Sequence, residues 1–160
     1  MSRRPASRCC PTMWLSTSTG TPTLLMHGDL LCTLDHKYQE FRTYVQSPQV
    51  QQGFLSRTLE ERRAIAAETR AGTIASMLEK ESEIMDVEPK TVVDTMQEYA
   101  VSQLIHGHTH RPGRHEHVGR DGTLVRHVLT DWYVRDGVLV ADAEGLEEHG
   151  VEAYLAGLAA

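Results

Sequence analysis

Two short apolar runs, each followed by a histidine, set the pattern of this chain. Thr21–Met26 leads into His27, and Val101–Ile105 leads into His106. Apolar runs of this length, bounded by turn residues, are typical of buried strands. Gly28 follows His27 and allows a sharp turn, because glycine tolerates backbone dihedral angles that other residues avoid. We therefore predict two buried strands whose ends carry histidines.

A first helix is predicted shortly after the first strand. Asp35 is suited to cap it, because a carboxylate at that position can accept a hydrogen bond from the first turn. Ser47 precedes Pro48, and a residue before proline avoids the helical region, so the helix should end there. The predicted helix is His36–Gln46, and Gln49–Leu55 is left unassigned.

A second, longer helical segment opens with a capping box. Thr58 and Glu61 have the T-x-x-E spacing of that motif. The segment runs from Leu59 to about Met85, and Gly72 leaves open whether it is one helix or two. Its sparse apolar positions are typical of a surface or projecting helix. A further amphipathic helix is predicted over Thr91–Ala100.

After Pro112 the pattern changes to β structure. His115–Gly119 and Thr123–Leu129 flank an Asp-Gly pair, which is a strong hairpin signal. A second Asp-Gly pair separates Asp131–Arg135 from Val138–Ala141 and predicts a second hairpin. Glu144–Ala160 is predicted to form a short strand and a terminal helix.

The first 20 residues differ from the rest of the chain. They contain arginine, serine, threonine and proline without an apolar period, so we predict disorder. They lack the apolar stretch of a secretory signal. With 160 residues in all, the chain has the size of one ordinary domain or of a large piece of one.

Charge and cysteine content exclude several classes of protein. A net charge of -6 and a pI of about 5.8 argue against a protein that binds nucleic acid through its phosphates. No apolar stretch approaches the roughly 20 residues of a membrane span. Three cysteines, two of them adjacent, do not form a disulfide framework. A reducing cytoplasm is therefore the predicted location.

Histidine is the unusual component of the composition. There are nine, and five of them fall between His106 and His117. His106, His108 and His110 alternate at the end of a predicted strand, and imidazole is the commonest side-chain ligand for transition metals. A solvated histidine-rich loop is the alternative reading. His27, at the other strand end, favours a metal site, because ligands collect at strand ends in layered α/β folds.

The proposed core of that site is His27, His108 and His110. Asp29, two residues after His27, is either a further ligand or a turn carboxylate. His106 is the less favoured ligand. The remaining histidines are expected on strands or surfaces exposed to solvent, namely His36, His115, His117, His127 and His149. A divalent metal lowers the pKa of bound water to about 7 and screens phosphate charge, which suits hydrolysis of phosphate esters or anhydrides.

The histidine segments resemble the calcineurin-like metallophosphoesterases, whose C-terminal half carries a strand-end histidine and then G-H-x-H. Here these are His27 and Gly107-His108-Thr109-His110. One branch is matched over longer blocks, the UDP-2,3-diacylglucosamine diphosphatases (pyrophosphohydrolases) of lipid A biosynthesis. The resemblance covers about residues 22 to 142. The matching blocks are Leu25–Thr33 with Asp35, Tyr38, Phe41 and Arg42, then Ile84–Val87, then Leu104–Pro112.

The resemblance implies an α/β fold, the C-terminal portion of a four-layer αββα sandwich with an inserted helical cap at about 36–88. Residues 21–142 would form this partial domain. Residues 1–20 would be a disordered or non-native start, and 143–160 a C-terminal tail.

The resemblance also implies the chemistry. Two Mn²⁺ ions would activate water to attack the α-phosphorus of UDP-2,3-diacylglucosamine, giving UMP and 2,3-diacylglucosamine 1-phosphate. His27 and His108 would bind one metal and His110 the other, with His108 catalytic. The lipid substrate implies a peripheral position on the cytoplasmic face of the inner membrane. The positions that match substrate contacts are Asp35, Thr73, Met77, Lys80 and His108, with Thr73 and Met77 standing where relatives often have serine and asparagine.

One part of the family pattern is missing. The family's D-x-H, G-D and G-N-x-[DE] motifs, which supply the other ligands and a bridging aspartate, do not occur before His27. A truncated or frame-shifted reading of a longer gene would produce such a start. Two cations roughly 3.5–4 Å apart repel each other without a bridging carboxylate, so we expect little two-metal activity from this chain alone. The alternatives are another calcineurin-like phosphoesterase, acting on nucleotides or phosphoproteins, and a catalytically dead interaction module.

Overall fold

The computed structural model describes residues 13–16, 20–78, 85–132, 135–142 and 144–158, with the backbone alone at 13–16 and 74–78. These residues form a mixed α/β structure, as predicted. The strands are β1 (Met13–Ser16), β2 (Pro22–Leu25), β3 (Gln103–His106), β4 (Gly113–Val118), β5 (Thr123–Val128), β6 (Val138–Asp142) and β7 (Gly145–His149). The helices are α1 (His36–Gln46), α2 (Pro48–Leu55), α3 (Leu59–Leu78), α4 (Pro89–Glu98) and α5 (Val151–Leu158).

The strands form one five-stranded sheet and one two-stranded sheet. The order in the larger sheet is β1-β2-β3-β5-β4. β2, β3 and β5 run parallel, and the outer strands β1 and β4 are antiparallel to their neighbours. Because parallel strands end at the same edge of a sheet, the residues after β2, β3 and β5 lie along one edge. Within the described helices, no segment is long and apolar enough to span a membrane.

The described residues divide into two compact units. The first, here the sheet unit, contains the residues up to Leu31 and those from Val87 onward. The second, here the helical unit, is Cys32–Asp86 and contains α1, α2 and α3. The helical cap predicted at about 36–88 remains a prediction.

The buried core of the sheet unit includes apolar side chains of β2, β3 and α4. Leu24 on β2, Leu104 on β3, and Val92 and Met96 on α4 are all fully buried. Val92 and Met96 are four residues apart and so share one face of the helix, as the amphipathic pattern predicted. The cap of α4 is Glu88, whose carboxylate accepts hydrogen bonds from the backbone at the start of the helix, so α4 begins earlier than predicted.

The helical unit follows its local sequence signals closely. α1 has the predicted bounds, and Asp35 caps it by accepting a hydrogen bond of 3.1 Å from the Tyr38 amide. The capping box is also confirmed, because the Thr58 amide donates to Glu61 at 2.8 Å and the Glu61 amide donates to Thr58 at 3.3 Å. α3 continues through Gly72 without a break and is described as far as Leu78.

The first predicted hairpin is confirmed and the second is wrong. β4 and β5 pair in antiparallel register around the Asp-Gly turn. β6 pairs with β7 in the tail, and in the other predicted strand, 131–135, the described residues 131, 132 and 135 form no strand. The Gly137 carbonyl accepts hydrogen bonds from Trp132 Nε1 at 2.8 Å and from the Thr130 hydroxyl at 3.3 Å.

Two further findings concern the ends of the chain. Met13–Ser16 pairs with β2 as β1, so the prediction of disorder is wrong for these four residues. The tail contains the predicted strand and terminal helix, β7 and α5.

Candidate metal centre

The loops after β2 and β3 lie side by side at one edge of the sheet. The Met26 amide donates to the Ile105 carbonyl at 3.1 Å, and the Gly107 amide donates to the His27 carbonyl at 3.1 Å. These bonds continue the parallel pairing of the two strands beyond their ends. These bonds bring the predicted ligand His27 close to the segment that carries another predicted ligand, His108.

The rings of His27 and His108 are in contact. Their centroids are 4.8 Å apart, and the ring planes are tilted by 57°. Nδ1 of His27 lies 3.1 Å from Oδ1 of Asp29, a residue that is only 6% exposed. A carboxylate at one ring nitrogen is the usual arrangement around a metal-binding histidine, because it orients the ring and leaves the other nitrogen as the donor. Asp29 therefore has the geometry of an orienting carboxylate.

His110 has a similar carboxylate neighbour. Its Nδ1 lies 3.6 Å from Oδ2 of Asp131, and its side chain is well exposed while that of Asp131 is largely buried. Asp131 lies shortly after the end of β5, and His106 is the last residue of β3. Because these strands run parallel, both residues lie at the same edge of the sheet. The sequence analysis missed this carboxylate, although its position after a strand parallel to β3 is a usable signal.

The backbone of the histidine loop is strained at both predicted ligands. His108 has φ 70° and His110 has φ 54°, in the left-handed region that residues other than glycine rarely adopt. Such conformations persist only where the surroundings impose them, and they are common at functional sites. The alternation of histidines on an extended strand is therefore broken at the site.

His106 is built into the protein interior. It is fully buried, with Nδ1 2.8 Å from the Gly107 carbonyl oxygen and Nε2 3.1 Å from Nη1 of Arg126. Both ring nitrogens are thus engaged by protein groups, which agrees with its place as the less favoured ligand. Arg126, 6% exposed, also donates from Nε to Nε2 of His117 at 3.2 Å.

Three of the histidines predicted to be solvated, His117, His127 and His149, are only partly exposed. Partial burial and the positive charge of Arg126 hold the pKa of His117 below its ordinary value. Partial burial and Arg114 do the same to the pKa of His127. His36 and His115 are exposed, as predicted. The expectation is therefore wrong for His117, whose ring accepts a hydrogen bond from a buried arginine.

The described residues fit a divalent metal in donor type but do not assemble a full ligand set. His27 and His108 meet, and His110 follows two residues later in the same loop. Within the part of the chain that the structure describes, no group of three histidine, cysteine, aspartate or glutamate side chains is placed around a common point. The shared cation of His27, His108 and His110 stays a prediction.

The predicted substrate contacts fall in the helical unit. Asp35 is buried, and its carboxylate caps α1. Thr73 is exposed, and its hydroxyl donates to the Thr69 carbonyl at 2.9 Å within α3. Lys80 and the side chain of Met77 lie outside the described residues. No observation here assigns any of the four to a substrate.

Fold and site together define a mixed α/β protein with a candidate metal centre at the carboxyl edge of a parallel sheet. No protein-family model matches the chain. Curated relatives do match it, among them the UDP-2,3-diacylglucosamine hydrolases of Hahella chejuensis, 44% identical over 128 residues, and Cellvibrio japonicus, 47% identical over 127 residues. The hydrolase of that name from Xanthomonas campestris pv. campestris is 45% identical over 134 residues.

These alignments cover 79–80% of the chain and 52–54% of each relative. The chain thus spans about half the length of the curated relatives it matches, and the matched part is their C-terminal part. Over this region the chain is a homologue of the UDP-2,3-diacylglucosamine hydrolases, and the resemblance inferred from its sequence is confirmed.

Proposed function

We propose that this chain is part of an enzyme that hydrolyses the pyrophosphate bond of UDP-2,3-diacylglucosamine in lipid A biosynthesis. The products would be UMP and 2,3-diacylglucosamine 1-phosphate. The observation that carries the proposal is the 4.8 Å contact between the rings of His27 and His108 at the shared edge of β2 and β3. The relatives that the chain matches bear the name of this activity.

The proposal includes the architecture of the metallophosphoesterases. The parallel arrangement of β2, β3 and β5, with the histidine loops at their ends, supports one half of a four-layer αββα sandwich. The helical unit, Cys32–Asp86, supports a cap inserted between β2 and β3 in the sequence.

The metal is proposed to be Mn²⁺, with His27 and His108 as ligands of one ion and His110 as a ligand of a second. When bound, it supplies Lewis-acid charge for phosphate oxygens and makes water nucleophilic near neutral pH. The histidine side chains of this chain would present their ring nitrogens to the metal. Asp29 engages Nδ1 of His27, and Asp131 lies near Nδ1 of His110, so each ring is turned to offer Nε2.

Binding of the substrate would use Asp35, Thr73, Met77 and Lys80, together with His108. An acylated sugar nucleotide would also bring the enzyme to the cytoplasmic face of the inner membrane. Both statements extend the similarity to these relatives.

The test is hydrolysis of UDP-2,3-diacylglucosamine in Mn²⁺, followed by release of UMP, together with the number of Mn²⁺ ions bound. Two bound equivalents with turnover support the enzyme, and little of that turnover is expected from this chain alone. His108→Ala should abolish turnover, while His149→Ala, on β7 of the two-stranded sheet, should leave it unchanged as the matched histidine control. Turnover that survives His108→Ala contradicts the proposal.

The same experiment separates the alternatives. One equivalent of Mn²⁺ or none, without turnover, supports a catalytically dead interaction module. Hydrolysis of nucleotides or phosphoproteins in preference to UDP-2,3-diacylglucosamine supports another calcineurin-like phosphoesterase. The second outcome overturns the assignment to this substrate, and the first overturns enzymatic activity of this chain alone.

A further inference from the structure

Arg126 joins three strands through two histidine rings. It lies on β5, in register with Leu104 on β3 and with His115 on β4. Its guanidinium reaches His106 on β3 and His117 on β4, each two positions beyond the residue that pairs with Arg126. Nη1 is 3.1 Å from Nε2 of His106, and Nε is 3.2 Å from Nε2 of His117. Diagonal neighbours of this kind share one face of the sheet. The arginine is therefore placed to act on both rings at once.

The charge of the guanidinium decides where the ring proton of His106 lies. An arginine side chain remains protonated in proteins and can only donate hydrogen bonds. Nε2 of His106, facing Nη1 of Arg126, must then be the unprotonated acceptor. The single proton of the neutral ring lies on Nδ1, which is 2.8 Å from the Gly107 carbonyl oxygen. His106 is thus fixed as the Nδ1–H tautomer, and Nδ1 donates to Gly107.

The Gly107 carbonyl is the peptide group immediately before His108. It accepts a hydrogen bond from Nδ1 of His106 at 2.8 Å and from the Thr109 amide at 2.9 Å. Two donors hold this peptide in one orientation, and His108 follows it with φ 70°. Because the strained conformation begins at this peptide, the donors that fix it also fix the direction in which the His108 ring leaves the backbone.

The same ring supports the loop that carries His27. A Cβ atom on Gly28 would lie 2.6 Å from Nδ1 of His106 and 2.9 Å from the Gly107 carbonyl oxygen. Gly28 has φ 110°, so this close approach uses a backbone conformation open to glycine. His106 therefore packs against one loop and donates to the other, directly behind the contact between His27 and His108.

We propose that Arg126 is a positioning residue for the candidate metal centre: it fixes the His106 tautomer, and His106 holds the Gly107 peptide and sets His108 against His27. The consequence for metal affinity rests on the proposed function. The consequence for the tautomer does not, because it concerns the metal-free protein.

The tautomer is measured on the unaltered full chain, without metal, by long-range ¹H–¹⁵N correlation spectra of the histidine rings. The expected result is a neutral His106 with its proton on Nδ1. A ring with the proton on Nε2, or a doubly protonated ring at neutral pH, overturns the proposal. This measurement does not depend on whether the protein binds Mn²⁺ or hydrolyses anything.

The effect on the site is measured by Mn²⁺ titration of Arg126→Met. We expect the affinity to fall about 10- to 100-fold, the usual cost of losing a group that orients a metal ligand. Arg126→Lys keeps a charged donor and should recover part of the loss. The matched control is Arg114→Met, because Arg114 lies on the neighbouring strand β4 with an exposed side chain that pairs with Glu116. Its affinity should stay within about 2-fold of the unaltered protein.

Equal affinity in Arg126→Met and Arg114→Met overturns the positioning role. Should Arg126→Met fail to fold, the tautomer of the unaltered protein and the affinity of Arg126→Lys decide the question. If the unaltered chain binds no Mn²⁺, the proposed function fails, while the spectra still confirm or overturn the control of His106 by Arg126.

Discussion

The sheet unit and the helical unit are stabilised in different ways. In the sheet unit, Asp29, His106 and Arg126 are buried, and Arg126 on β5 bonds to His106 on β3, 20 residues away in sequence. In the helical unit, α1 and α2 contain no buried residues, and the caps of α1 and α3 join residues three apart in sequence. One longer-range bond of the helical unit runs from Cys32 Sγ to the Met85 carbonyl at 3.6 Å. Long-range pairing therefore builds the candidate site, whereas local caps define the helices.

This difference predicts how each unit responds to mutation. A change in the sheet unit should disturb several loops at once, because one ring or carbonyl serves more than one partner. A change in the helical unit should cost only the local interaction that it removes. Apolar side chains on the helical unit are already largely exposed, for example Tyr44 at 64%, Leu55 at 62% and Leu59 at 60%. Removing them should have small effects on folding.

The largest contrast is expected between two glycine-to-alanine substitutions. Gly28→Ala places a Cβ against His106 and the Gly107 carbonyl at φ 110°, so we expect a loss of about 2–4 kcal/mol in the free energy of unfolding. Gly72→Ala, on α3 with open space around it, should gain about 0.5–1 kcal/mol. Urea denaturation measures both. Equal effects of the two substitutions contradict the proposed contrast.

A smaller effect is expected at the capping box. Thr58→Ala removes the hydroxyl that caps α3 and should cost about 1 kcal/mol of helix stability. The matched control is Thr43→Ala within α1, whose exposed hydroxyl donates to the Gln39 carbonyl and caps nothing. Hydrogen exchange of the α3 amides reports the change locally. Exchange of the sheet unit's amides should not become faster, and a loss of protection at His106 would contradict the local nature of this cap.

The smallest effect concerns pH. Burial and nearby arginines lower the pKa of His117 and of His127 in the folded protein, so the unfolded chain binds more protons as the pH falls. Stability is then fully present above the unfolded pKa of about 6.5 and is lost as the pH falls through the lower, folded values. Denaturation curves between pH 7.5 and 5 should show the decline. His117→Gln and His127→Gln together should flatten it, and a decline that is unchanged in this variant contradicts the assignment.

The comparison also explains which features the sequence predicts. The bounds of α1 follow from Asp35 and from Ser47-Pro48, and the start of α3 follows from Thr58 and Glu61. Each of these signals acts within four residues, so a linear reading suffices. The two strand ends with histidines were also predicted, because apolar runs and a following glycine mark them locally.

The features that the sequence did not predict depend on the register in which strands pair or on which strands pair with each other. Arg126 meets His106 and His117 only because β5 pairs with both β3 and β4 in a particular alignment. The prediction of the second hairpin was wrong because β6 pairs with β7, a pairing that the Asp-Gly signal does not reveal. The approach of Asp131 to His110 can be predicted only when β3 and β5 are known to run parallel.

The central claim is that His27 and His108 bind one cation. The most direct test is the addition of Mn²⁺ to protein labelled with ¹⁵N histidine, because the paramagnetic ion broadens the ring signals of the residues that hold it. The account predicts that the signals of His27 and His108 disappear together at the same metal concentration, while those of His36 and His149 remain. Broadening of His27 without His108, or of neither ring, would contradict it.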